Sequence, residues 1–226
     1  MGELDFENVV FGYGGNPLFN GFSASFAKGQ ISCIVGPNGC GKSTLAKLAM
    51  GLIKPASGRV LIQGRDVASL NPRERARRLG MLVQQQEAPM MTVRELAACG
   101  RFPHHGPLSR LDETDAQCID ETLSLAGVYD LRDRPLQSLS GGQRQRARMA
   151  MVLAQDTPVV LLDEPTSFMD AAACFDMMRL VRRVRERGKT VIAVIHDLNL
   201  ALSVADAVFV MERGRLAAQG APSEAA

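Results

Sequence analysis

Apolar and polar positions alternate in the first 35 residues in a way that signals strands. LDFENVVFGY is followed by FNGFSASFA, where Phe22, Ala24 and Phe26 recur at every second position, and after a Lys28-Gly29 turn comes the uniformly apolar ISCIV. This predicts a small antiparallel sheet leading into a buried strand. The helix TLAKLAMGL follows, then a turn over 55–58, the strand RVLIQ, a basic helix at PRERARR and the strand MLVQ. From residue 85 to 153 the strand period is missing. TVRELAACG, DETDAQCIDETLSLAG and LSGGQRQRARMAMV read as helices, with the loop RFPHHGPLSR between the first two. Strand and helix alternate again through PVVLLDE, AAACFDMMRLVRRVRERG, TVIAVIHD, a short helix, AVFVME and GRLAAQG. Alternation on both sides of an all-helical stretch predicts an α/β fold: a mostly parallel sheet with flanking helices, an N-terminal antiparallel β subdomain and an inserted α-helical subdomain. The expected division is 1–84 and 155–226 for the core with its β subdomain and 85–154 for the helical insert, all within one domain.

Composition narrows the setting. At 226 residues and 46% hydrophobic, the chain can build one large core. Its 26 basic and 24 acidic residues nearly cancel, so overall charge gives no argument for a nucleic-acid or anionic-membrane partner. Cys33, Cys40, Cys99, Cys118 and Cys174 show no Cys-x-x-Cys spacing, which argues against a zinc site or disulfide framework and for a reducing, cytoplasmic setting. The acidic start MGELDFENVV is unlike a secretory signal, so export is not expected. No run of 18 apolar residues is present, and work at a membrane would need another chain to span it.

GPNGCGKS at 36–43 matches G-x-x-x-x-G-K-[ST], placed directly after ISCIV and directly before a helix, as the mechanism of a phosphate-binding loop requires. Gly36, Pro37, Asn38, Gly39, Cys40 and Gly41 would curl so that backbone N–H groups point at phosphate oxygens, and the helix starting near Thr44 adds its dipole. Lys42 would bridge the terminal phosphates and Ser43 would ligate Mg2+. Cys40 reads as a small residue that fits the loop. The buried strand VVLLDE ends in two carboxylates, which need a partner. Asp163 suits the Mg2+ shell, and Glu164 can polarise an attacking water. His196 ends TVIAVI, and its position at a strand's carboxyl end favours a γ-phosphate contact. Gln84 occupies a similar place after MLV, with Gln85 and Gln86 as neighbouring alternatives. Gly141 and Gly142 open a helix at about 1 kcal/mol each relative to alanine, a cost that helix stability does not explain.

Together Tyr13, GPNGCGKST, Gln84, LSGGQ, VVLLDEP, the acidic end of TSFMD and His196, in this order over nearly the whole chain, resemble the ATP-binding-cassette ATPases, and the fold resembles a P-loop NTPase core. LSGGQ ahead of a strand ending in Asp-Glu is the discriminating element. The resemblance implies that Tyr13 stacks on adenine, that Gln84 senses Mg2+ and a membrane subunit, and that Asp170 reaches across a dimer interface, although Phe168-Met169 before it departs from the family's usual run. Ser140, Gly141, Gly142 and Gln143 then read as a second anion site without a lysine, completing the γ-phosphate site of a partner copy. GRFPHHG, MVLAQDTPVVLLDEPT and VIHDLNLA are similar to cassettes that power importers of ferric siderophores, haem and cobalamin. This implies an ATP-hydrolysing subunit at the cytoplasmic face of the inner membrane, as a homodimer bound to multi-span permease subunits and served through them by a solute-binding protein. A nucleic-acid partner is not expected: Arg144, Arg146 and Arg148 read as a solvated helix face packing on carboxylates, and His104 and His105 as a solvated loop. The alternatives are a cassette for free metal or export, and a soluble cassette outside transport.

Overall fold

The first hairpin closes on Gly14 and Gly15, both at positive φ, as a two-residue turn between right-twisted strands requires. It joins β1 (Leu4–Tyr13) to β2 (Asn16–Phe26), and with β4 (Ser57–Ile62) and β5 (Arg65–Asp66) these form an antiparallel sheet in the order β2-β1-β4-β5. The computed structural model describes residues 2–83, 88–105, 110–167 and 169–224.

The second sheet holds β3 (Ile31–Val35), β6 (Leu79–Leu82), β7 (Val159–Asp163), β8 (Thr190–Val194), β9 (Ala207–Glu212) and β10 (Arg215–Gly220), in the order β10-β9-β3-β8-β7-β6. All neighbours are parallel except β10, which returns antiparallel along β9. Every residue of β3, β7 and β8 is buried, as expected of strands covered on both faces. The period of two divides β3 between the faces. Ile31, Cys33 and Val35 join one core with Met177, Val181 and Val184 of α6 (Ala171–Glu186), while Ile34 faces Leu45, Leu48 and Ala49 of α1 (Lys42–Ala49) and the phenylalanines of the small sheet. Phe26 and Phe209, with ring centroids 4.6 Å apart, tie the two sheets together.

Among the described residues between β6 and β7 there is no strand. The helices α3 (Val93–Cys99), α4 (Glu113–Leu125) and α5 (Gly141–Ala154) pack against one another through Val93, Ala97, Ile119, Leu123, Ala147 and Ala150. These helices and α2 (Pro72–Ala76) each begin with a reciprocal capping box, built by Asn71/Glu74, Thr92/Glu95, Asp112/Asp115 and Ser140/Gln143. The last helix is α7 (Leu198–Val204), N-capped by Asp197.

Three details differ from the sequence reading. The basic helix α2 stops at Ala76, because the Arg78 carbonyl is taken by the Val159 N–H at the sheet edge. Arg148 is buried in α5 rather than solvated, while Arg146 lies toward the Asp176 carboxylate on α6, as the reading expects. RFPHH is also packed. Arg101 Nε donates to Asp115 Oδ1 at 2.8 Å and its NH1 donates to the Ala154 carbonyl at 2.8 Å; His105 Nε2 lies 2.7 Å from Asp115 Oδ2, and His104 Nε2 lies 2.9 Å from the Gln155 carbonyl. Arg73 of α2 and Arg77, its C-cap, both donate to the Pro103 carbonyl at 2.8 Å. The short 3-10 turn Phe102–His104 thus fastens α2 to the helical segment.

Candidate functional site

β3 runs into the phosphate loop. Gly36, Gly39 and Gly41 take φ values of 152°, 78° and 113°, and two of them are also required for space. A Cβ on Gly36 would stand 2.2 Å from the Met211 carbonyl oxygen, and one on Gly41 2.8 Å from the Phe19 ring. Gly41 caps α1, so the first N–H groups of that helix open toward the loop. Cys40 is buried, its Sγ 3.0 Å from the position a Gly36 Cβ would take. Lys42 is buried as well and bends back over the loop, donating from Nζ to the carbonyls of Gly36 at 2.7 Å and Pro37 at 3.0 Å. Two neutral carbonyls hold an ammonium less strongly than phosphate oxygens do, so this lysine is poised to exchange them for an anion.

Asp163 closes β7 at 9% exposure. Burial, and then the like charge of Glu164, raise its pKa above the usual carboxylate value, against the pull of a hydrogen bond from Ser43 and the charges of Lys42 and His196. Its Oδ1 is buried without a hydrogen-bond partner among the described residues. An unpartnered carboxylate oxygen beside a serine hydroxyl is a hard-oxygen pair, and it fits Mg2+.

Glu164 follows at φ 52°, outside the strand geometry. Its Oε1 is bonded to His196 Nε2, and its Oε2 accepts from Ser167 Oγ at 2.9 Å. Burial acts to raise its pKa, but the bonds from His196 and Ser167 and the charges of His196 and Lys42 outweigh this and hold it below the ordinary glutamate value. Glu164 is therefore a charged base at neutral pH, restrained at both oxygens.

A cavity of about 460 Å3 gathers Lys42, Ser43, Thr44, Glu164 and His196 around the loop residues Asn38, Gly39 and Gly41. Tyr13 lines it too, half exposed, with its hydroxyl 3.5 Å from Thr44 Oγ1 and its ring edge-on to Phe11. Asn16, Pro17 and Leu18 complete the wall and were missed from sequence; their signal is adjacency to the Gly14-Gly15 turn after Tyr13. Ser167 was missed as well, since a lone serine three residues after a glutamate has no motif of its own. Ser140, Gly141, Gly142 and Gln143 do not line this cavity. They form the N-terminus of α5, where the Ser140 hydroxyl accepts from the Gln143 N–H and Gln143 Oε1 accepts from the Ser140 N–H. Asp170 stands apart from the cavity too and N-caps α6, its Oδ1 accepting from the Ala173 N–H at 2.7 Å. Gln84 lies outside the described residues.

Comparison with known proteins agrees with this geometry. Residues 19–167 match the ABC transporter family. The chain is 41% identical over 226 residues to the achromobactin transport ATP-binding protein of Dickeya dadantii, covering 99% of this chain and 84% of that protein. It is 40% identical to the ferric enterobactin transport ATP-binding protein of Escherichia coli, covering 99% and 83%. A bacterial ABC transporter cassette solved as a dimer superposes with a TM-score of 0.84 at 26% identity, covering 97% of this chain and 98% of that one. A family match over residues 19–167, with relatives 40–41% identical along nearly the whole of this chain, makes it a member of the ABC transporter family.

Proposed function

We propose that the chain is the ATP-binding and ATP-hydrolysing subunit that drives an importer of iron chelates, ferric siderophores in the first place, with haem and cobalamin as related cargo. The observation that carries the reading is the single cavity in which a phosphate loop, its lysine and the Glu164–His196 pair converge. ATP enters with adenine on the exposed face of Tyr13 and its phosphates on the loop N–H groups. Lys42 then exchanges the Gly36 and Pro37 carbonyls for terminal phosphate oxygens. Ser43 and Asp163, with Gln84, would hold Mg2+, which neutralises phosphate charge when bound. Glu164 takes the proton of the attacking water, and His196 leaves the carboxylate to contact the γ-phosphate.

The site needs a second copy. The helix entrance at Ser140, Gly141, Gly142 and Gln143 has two glycines without side chains between the residues of its capping box and does not line its own cavity, so we read it as closing on the nucleotide of a head-to-tail partner, with Asp170 reaching across. The dimeric cassette among the structural relatives supports this reading. No helix among the described residues is long and apolar enough to cross a membrane. Coupling therefore runs to separate permease subunits, served by a solute-binding protein, from a peripheral position on the cytoplasmic face of the inner membrane, and segment 85–154 acts as the helical part that conveys the motion. The iron-chelate cargo is supported by the relatives named for achromobactin and ferric enterobactin transport.

Glu164→Gln should bind ATP and dimerise while turning over at least about a hundredfold more slowly; rapid steady hydrolysis by this variant overturns the catalytic assignment. In cells deleted for this gene, uptake of radiolabelled iron as its siderophore chelate should return with the wild-type chain and not with Lys42→Ala. Undiminished uptake in the deletion strain removes the cargo reading.

A further inference from the structure

Glu164 is held at both carboxylate oxygens, Oε1 by His196 and Oε2 by Ser167. The last torsion of a glutamate is broad and roughly two-fold, so one contact sets where the carboxylate lies but not the plane of its lone pairs. Two contacts on different oxygens set both. Glu164 and His196 line both the nucleotide cavity and a second cavity of about 330 Å3, whereas Ser167 lines only the second, together with Cys174, Phe175 and Leu200. Ser167 is also placed by its own turn. Its N–H donates to the Glu164 carbonyl at 3.2 Å, the Met169 N–H donates to the Thr166 carbonyl at 3.3 Å, and Gln145 Nε2 of α5 donates to the Pro165 carbonyl at 3.3 Å. The turn that begins at left-handed Glu164 thus returns a hydroxyl to the side chain three residues earlier, and a buried side chain of the helix opened by Gly141 and Gly142 steadies it.

We propose that Ser167 is the positioning residue for hydrolysis: from outside the nucleotide cavity, its hydroxyl keeps the Glu164 carboxylate in place while His196 passes from that carboxylate to the γ-phosphate. This rests on the reading of Glu164 as the base. Ser167 does not line the nucleotide cavity, so its loss acts on turnover and leaves nucleotide affinity alone.

The experiment measures steady-state ATP hydrolysis and binding of a fluorescent ATP analogue for Ser167→Ala and Ser167→Thr, each in the wild-type and Glu164→Gln backgrounds, with thermal melts to confirm folding. Ser167→Ala should lower kcat about tenfold while KM and the analogue Kd change by less than about twofold. Ser167→Thr, which keeps the hydroxyl, should recover kcat to within about threefold of wild type. In the Glu164→Gln background, single-turnover hydrolysis should change by less than about twofold on adding Ser167→Ala, because the group being positioned is already gone. An unchanged kcat in Ser167→Ala, a threonine variant as slow as alanine, or an equal loss in the glutamine background overturns the proposal. Wild-type hydrolysis by Glu164→Gln alone overturns the base assignment, and the positioning role with it.

Discussion

Replacing Arg101 by alanine should destabilise the fold far more than loss of a loop arginine would, and should leave nucleotide binding intact. The Asp115 side chain is 3% exposed and that of Arg101 11%. Asp115 Oδ1 accepts from Arg101 Nε, Oδ2 accepts from the Asp112 N–H at 2.9 Å, and His105 Nε2 stands 2.7 Å from the same oxygen. Arg101→Ala strips the permanent cation from a nearly buried carboxylate and takes a donor from the Ala154 carbonyl. Removing one partner of a buried pair costs about 3–5 kcal/mol, against at most about 1 kcal/mol for an exposed bridge. For a chain of this size the loss corresponds to a Tm lower by roughly 6–20 °C. Arg101→Ala/Asp115→Asn, which removes the stranded charge as well, should be more stable than Arg101→Ala alone.

The pH dependence gives the signature. Burial by itself would raise the Asp115 pKa, but the Asp112 N–H, Arg101 and His105 outweigh it and hold the carboxyl far below its usual value. A carboxylate depressed in this way stabilises the fold above its unfolded pKa of about 3.9, and that contribution disappears as pH falls from there toward the folded value. The stability gap between wild type and Arg101→Ala should therefore be full at neutral pH and shrink below about pH 4. Urea titrations of both proteins across that range, with the ATP analogue Kd measured alongside, check it. A loss under about 1 kcal/mol at neutral pH, or a gap that widens on acidification, would refute the reasoning.

Gly36→Ala places its methyl 2.2 Å from the Met211 carbonyl, on β9, which cannot step aside without opening the sheet; we expect ATP analogue affinity at least about tenfold weaker, read by fluorescence titration. Gly142→Asp is different, because its Cβ meets only Ala173 at 3.4 Å and Met169 at 3.6 Å. The fold and ATP affinity should survive while ATP-driven dimerisation is lost, seen by size-exclusion chromatography in the Glu164→Gln background; a dimer peak equal to that of the parent would contradict the in-trans role. Ser32→Ala should stabilise the protein by about 1 kcal/mol, since the Ser32 hydroxyl is fully buried in β3 with no hydrogen-bond partner among the described residues, and a lower melting temperature would argue otherwise.

Much of the architecture was legible because its signals are local. The period of two in FSASF, the uniformly apolar ISCIV and VVLLD, and the capping residues Thr92, Asp112 and Ser140 each act within a few residues of the backbone they shape. Where the reading slipped, a distant partner intervened. RFPHH looked solvated because its polar residues had no partners within the window, and those partners proved to be Asp115, the Ala154 and Gln155 carbonyls, and Arg73 and Arg77.

By itself the sequence determined the element types, the phosphate loop on eight consecutive residues and the glycine-opened helix that contains Gly141 and Gly142, since each is a property of neighbouring residues and their backbone geometry. Only the tertiary structure decided that His196 bonds to Glu164 from 32 residues away and that Asp163 keeps one oxygen without a partner among the described residues. The His196–Glu164 meeting depends on β7 and β8 lying side by side with β8 against β3, and strand order is set by crossover connections that no local pattern records.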